Sequence, residues 1–138
     1  MILLDTDTLT LYLNNHIRVI RRLESASEEP AISIVSRIEV LQGRFASVVK
    51  AANSEELLRF QERLLKADRE LLEFTIVPFD KASAREFDRL RHSKKHGRMG
   101  RNDLLIACIA LANHATLVTR NVKDFRSVPG LRLENGAD

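Results

Sequence analysis

Several devices that could define a protein's chemistry are scarce or missing from this 138-residue chain, which has one cysteine, one tyrosine, no tryptophan and four histidines. Cys108 can form no internal disulfide, and its neighbours Ile106, Ala107, Ile109 and Ala110 make it a packed core thiol, which fits a reducing cytoplasm. His16, His92, His96 and His114 are scattered, without the close His and Cys spacing that zinc requires, and they read as surface or helix-end residues. With six phenylalanines besides the one tyrosine, extensive stacking on nucleobases is not expected. The longest apolar run, 104–112, falls far short of the roughly 20 residues that span a bilayer. The N-terminus has neither the basic flank nor the small-residue cleavage site of a secretory signal, so a soluble, cytoplasmic protein without a membrane partner is expected. An excess of one charge is also lacking. The 22 Lys and Arg stand against 19 Asp and Glu, so any polyanionic partner must be sought in local clusters.

What is present is an alternation of strand-like and helix-like segments, the pattern of an α/β protein with a parallel sheet covered on both faces. The length suggests one domain, able to bury about two thirds of its unfolded surface. Ile2–Leu4 reads as a buried first strand, followed by a helical region to about Ser27. Residues 31–35, rich in β-branched side chains, read as a second strand. Ser36 followed by Glu39 and then Val40 has the form of a capping box, placing a helix from there toward Lys50. A further helix starts near Ser54, with Leu57/Leu58, Leu64/Leu65 and Leu71/Leu72 forming an apolar stripe. Residues 75–79, 115–119 and 131–133 complete the expected strands, Asp80 caps a helix, and Arg101-Asn102-Asp103 opens the apolar helix. The main domain is expected over 1–134, with 135–138 a loose tail.

Four acids stand at corresponding places. Asp5 ends the first strand, Glu39 lies in the first turn after the second, Asp103 opens a helix and Asp124 follows the fourth strand. All four could face the carboxyl edge of the sheet, where α/β proteins place their chemistry. Each also has an ordinary use, as an N-cap, a capping-box partner or a complement to a helix dipole. Converging carboxylates repel unless some stay protonated or divalent cations occupy the site. The oxygen-only donor set then favours Mg²⁺ or Mn²⁺.

The segments Ile-Leu-Leu-Asp-Thr-Asp-Thr-Leu, Ser-Arg-Ile-Glu-Val-Leu-Gln-Gly, Gly-Arg-Asn-Asp-Leu-Leu-Ile-Ala and Leu-Val-Thr-Arg-Asn-Val-Lys-Asp-Phe, in this order, resemble PIN-domain ribonucleases of the VapC toxin type. The resemblance spans nearly the whole chain. It implies a PIN-like three-layer α/β/α sandwich with a mostly parallel sheet of four to five strands. The implied activity is a Mg²⁺- or Mn²⁺-dependent endoribonuclease toxin, leaving 5′-phosphate and 3′-hydroxyl ends and held inactive by a cognate antitoxin, commonly as a homodimer. Asp5, Glu39 and Asp103 match the family's acidic metal-site positions, and Asp124 matches the fourth acid. Thr6, Asp7, Thr119 and Asn121 become supporting groups. Position 7 is Asp where the family more often has Asn, and some relatives carry the last acid where this chain has Asn121.

The run 89–101 contains six Arg or Lys and no acid, and it leads directly into Asp103. Arg91, Lys94, Lys95, Arg98 and Arg101 are the expected RNA-binding residues, drawing in the phosphate backbone by counterion release; the plainer reading is a solvated helix end and loop. Two other functions compete. A non-catalytic scaffold would bind RNA or a partner without cutting. A haloacid-dehalogenase-like phosphatase would use Asp5 as nucleophile, but Leu9 breaks that family's opening motif. The leucine stripe either serves a dimer or antitoxin contact or closes a helical hairpin on itself.

Overall fold

Apolar residues that occupy both faces of a strand must be covered on both sides, and Ile2, Leu3 and Leu4 are all buried. In the computed structural model, which describes residues 1–92 and 99–138, these three residues form β1 (Ile2–Leu4), the middle strand of a five-stranded sheet. The other strands are β2 (Pro30–Ser33), β3 (Thr75–Val77), β4 (Thr116–Val118) and β5 (Arg132–Glu134). Their order is β3-β2-β1-β4-β5, and every pairing is parallel. The helices are α1 (Thr6–Leu13), α2 (Ile17–Glu24), α3 (Ile34–Val49), α4 (Ser54–Leu71), α5 (Lys81–Leu90), α6 (Arg101–Ala112) and α7 (Val122–Phe125). Ile2 and Leu4 pack on one side with Leu9, Leu13, Val40, Ala67 and Leu71. Leu3 faces the other side, with Leu90, Ile106, Ile109 and Phe125. Each such side chain withdrawn from water contributes roughly 1.5–3 kcal/mol. This is the expected three-layer α/β/α arrangement. None of the described helices is long and apolar enough to cross a membrane.

The register positions the functional edge. Leu4 lies level with Ile32 on one side and Val118 on the other, so Asp5, Ser33 and Thr119 all emerge where the three central strands end.

Local expectations shift in four places. The second strand was expected over 31–35, but Ser33 caps α3 by accepting from the Ser36 amide at 3.0 Å, and Ile34 and Val35 are already helical. The capping box of Ser36 with Glu39 therefore does not form, and Glu39 is freed for another use. The helical region to Ser27 is two helices, because Asn15 takes a left-handed conformation (φ 62°) after α1 and His16 caps α2. The last strand runs 132–134 rather than 131–133. The final residues are packed: Ala137 is buried, and Asn135 Oδ1 accepts from the amides of Ala137 and Asp138. Cys108 is fully buried, as its neighbours implied. Of the leucine stripe only Leu71 is buried and Leu64 half-buried, whereas Leu57, Leu58, Leu65 and Leu72 are exposed, while α4 pairs with α3 as a hairpin.

Gly136 explains why the end of the chain packs closely. A Cβ there would lie 2.7 Å from Val118 Cγ1, within the central sheet. Gly136→Ala should therefore destabilise by about 1–3 kcal/mol. Gly43, exposed within α3 with nothing within 4 Å of its Cβ direction, should gain up to about 1 kcal/mol as Ala. Urea unfolding midpoints of the two variants should move in opposite directions.

Candidate active site

Asp5 follows the last residue of β1, and its amide donates to the Val118 carbonyl at 3.1 Å, extending the sheet by one bond. Its Oδ1 caps α1 by accepting from the Thr8 amide at 2.9 Å. The carboxylate is only 4% exposed. Burial pushes its pKa up, while hydrogen bonding from the Thr119 side chain and the Thr8 amide works against that rise. The same side chain thus serves as an N-cap and lies buried at the carboxyl edge of the central strands.

Glu39 reaches the same edge from α3. Thr6, the first residue of α1, donates from Oγ1 to Glu39 Oε1 at 2.6 Å, and Asn102 Nδ2 donates to Oε2 at 3.1 Å. Because the Thr6 proton goes to the carboxylate, the 3.0 Å contact between Thr6 Oγ1 and Ser36 Oγ must be donated by Ser36. Ser33 Oγ in turn lies 3.3 Å from Ser36 Oγ. A buried row of hydroxyls, Ser33 to Ser36 to Thr6, therefore ends on Glu39. Read from the sequence, Ser36 has only a capping role and Asn102 only a place at the start of a helix, not a part in holding Glu39. The signals were there: Ser36 lies three residues before Glu39 on one helix, hence on its face, and Asn102 adjoins Asp103 in the first turn of α6.

Asp103 is the electrostatic centre. Its carboxyl is pushed up to about 6, first by burial and then by the charges of Asp5, Glu39, Asp7 and Asp124. These five acids share one field. Asp124, on α7, accepts from Asn121 Nδ2 at 2.7 Å, and the Thr119 hydroxyl accepts from the Asn121 amide at 2.9 Å. Asp7 is exposed on the first turn of α1. Among the described residues no Lys or Arg forms an ion pair with any of the five. Nor do three of them stand close enough together to ligate one ion directly. The set nevertheless suits a hard cation. Its donors are all oxygens, Glu39 and Asp124 are oriented by neutral groups, and Mg²⁺ habitually keeps several waters between itself and its site.

The expected RNA-binding run is only partly described. Arg91 pairs with Asp88 at 3.7 Å, and Arg101 lies over the Phe87 ring, 5.1 Å from its centroid. Lys94, Lys95 and Arg98 lie outside the described residues. Arg101 stands two residues before Asp103 on α6, a spacing that puts the two side chains on different faces of the helix.

The similarity to known proteins extends over nearly the whole chain. A model of the PIN domain matches residues 2–131. Ribonuclease VapC2 of Rickettsia felis is 33% identical over 138 residues, covering 96% of each chain. Ribonuclease VapC1 of Haemophilus influenzae strain R2866 is 28% identical over 137 residues, again covering 96% of each. A solved structure of VapBC2 from Rickettsia felis, bound to a DNA fragment from their promoter, superposes with a TM-score of 0.77 at 33% identity over 98% of each chain.

The raised pKa of Asp103 has a consequence for the metal-free protein. A carboxyl whose folded pKa lies above its unfolded 3.8 binds more protons folded than unfolded between about 4 and 6. Its stabilising, protonated form is present at low pH and is lost as pH rises through about 6. Asp103→Asn should therefore raise the melting temperature in EDTA at pH 7.5, with the gain shrinking to nothing as pH falls below about 4. A melting series across pH checks this, and a variant less stable than wild type at pH 7.5 would contradict it.

Proposed function

The chain belongs to the PIN domain family, and from that premise we propose that it is a ribonuclease toxin that hydrolyses RNA phosphodiester bonds and is held inactive by a cognate antitoxin protein. The observation that carries this reading is the set of five carboxylates around Asp103 at the carboxyl edge of the parallel sheet. It stands in a chain that shares a third of its residues with Ribonuclease VapC2 over nearly the full length.

PIN-domain nucleases of the VapC type generally depend on a divalent metal. In this chain Asp5, Asp103, Glu39 and Asp124 would hold Mg²⁺ or Mn²⁺, with Asp7 beside them. When bound, the ion supplies an acidified water and neutralises charge building on the scissile phosphate. The protein's own part is positional. Thr6 and Asn102 fix the two oxygens of Glu39, Asn121 fixes Asp124, and Thr119 links the Asn121 turn to the floor beneath Asp5. Burial of Asp5 keeps water from solvating its charge, so that charge is directed into the site. Asp5 is poorly suited to act as a phosphatase nucleophile, being 4% exposed with Oδ1 committed to capping α1. Arg101, at the start of the helix that carries Asp103, meets the RNA backbone in this reading.

The α3–α4 hairpin leaves Phe45, Val49, Leu58 and Leu72 more than half exposed. A homodimer or the antitoxin covers these side chains in this reading, and the complex resides in the cytoplasm.

The test is incubation of cellular RNA with antitoxin-free protein in Mg²⁺ or Mn²⁺ and in EDTA. Discrete fragments bearing 5′-phosphates should appear only with metal. Asp5→Asn and Asp103→Asn should reduce cleavage by about 100-fold or more with circular dichroism unchanged, and Thr6→Val by about 10-fold. Wild-type rates in Asp103→Asn would exclude the assignment. RNA bound but uncut by folded, metal-loaded protein would favour the binding scaffold.

A further inference from the structure

The seam where α1 lies against α3 has two ends of opposite charge. At one end Thr6 and Glu39 meet among the acids. At the other, just past the end of α1, opens a cavity of about 260 Å³ floored by Leu13 and Ala67 and ringed by Arg44, Arg63, Lys66 and Glu70. Three cations there face one acid. Glu70 already pairs with Lys66 at 3.6 Å. Among the described residues neither Arg44 nor Arg63 forms an ion pair. Arg44 Nη2 donates to Asn14 Oδ1 at 3.2 Å, which ties the guanidinium to the end of α1, another wall of the cavity. Burial and the neighbouring Arg63 charge both lower the Arg44 pKa, with Glu70 opposing. Two guanidinium groups kept together against their repulsion form a receptor for an oxyanion, since their planar forks match phosphate oxygens.

The geometry of the seam indicates which oxyanion. The helix that presents Thr6 to the site leads to Asn14, a rise of roughly 12 Å at about 1.5 Å per residue. The helix that presents Glu39 carries Arg44 five residues further on. We propose that the Arg44–Arg63 cavity binds a backbone phosphate of the RNA strand, a few nucleotides from the bond being cut. The identity of the strand rests on the ribonuclease reading above. The site therefore adds a second electrostatic anchor, on the opposite flank from Arg101, and contributes to binding rather than to chemistry.

A labelled single-stranded RNA titrated in EDTA at several salt concentrations tests this without cleavage. Arg44→Gln with Arg63→Gln should weaken binding about 10-fold and flatten the plot of log K against log salt by about 0.7 per arginine. Arg44→Lys should keep the wild-type slope, which separates charge from folding, and thermal melts should confirm that each variant is folded. In Mg²⁺ the double variant should show a raised KM with kcat little changed. Unchanged affinity and slope would overturn the site, as would failure of the wild type to bind the strand at low salt. Normal RNA binding with loss of a co-purifying antitoxin would assign the cavity to the protein partner and overturn the phosphate. Absence of cleavage by the wild type, with the slope change intact, would sink the nuclease reading and leave this site standing.

Discussion

Mutual repulsion of carboxylates at the carboxyl edge of the sheet is the constraint on which the rest of this structure depends. Asp5, Glu39 and Asp103 come from three different elements, and Asp7 and Asp124 add to the same field. A chain free to relax would move such groups apart into water. Here they are held because their carriers are fixed by packing: β1 is the middle strand of the sheet, α6 packs in the core on one face, and α3 starts against that core and runs on into the core of the other. The hydrophobic core supplies the work of assembling the site, and the raised pKa of Asp103 is the residual strain.

The connection between fold and site is shortest at Asp5. Its amide continues the sheet through Val118, its carboxylate starts α1, and its burial comes from the close of the central strands. One residue thus ends a strand, begins a helix and supplies the most sheltered charge. Behind it, Gly136 lies against Val118, so the end of the chain supports the strand that accepts the Asp5 amide bond. Arg22 on α2 bonds Glu134 of β5 and ties this support across to the outer helix.

The parts of this arrangement that follow from short-range rules were legible in the sequence. Apolar runs mark buried strands, and an acid after each of the principal strands marks a common edge, because parallel strands all end on one side. The failures have a single physical character. Ile34 and Val35 look like strand residues by composition, yet a serine placed one residue earlier satisfies the free amides of a helix start, and capping outweighed β-propensity. The break after α1 was missed because Asn15, a residue that tolerates a left-handed turn, carries no glycine or proline signal. Spacing hinted at Ser36 and Asn102, but their hydrogen bonds to Thr6 and Glu39, like the Arg44–Arg63 pair, exist only between elements brought together by the fold.

The donors that orient the acids are neutral. Glu39 is held by a threonine hydroxyl and an asparagine amide, and Asp124 by another asparagine amide. Lysine or arginine in those places would have stabilised the fold more, but each would have cancelled a carboxylate charge. Neutral donors fix direction and leave the charge intact. The same logic runs in reverse at the far end of the α1–α3 seam, where Asn14, a neutral acceptor, steadies Arg44 without quenching it. Where this protein carries unmatched charge, of either sign, it positions that charge with amides and hydroxyls, and so leaves it uncancelled at some expense in stability.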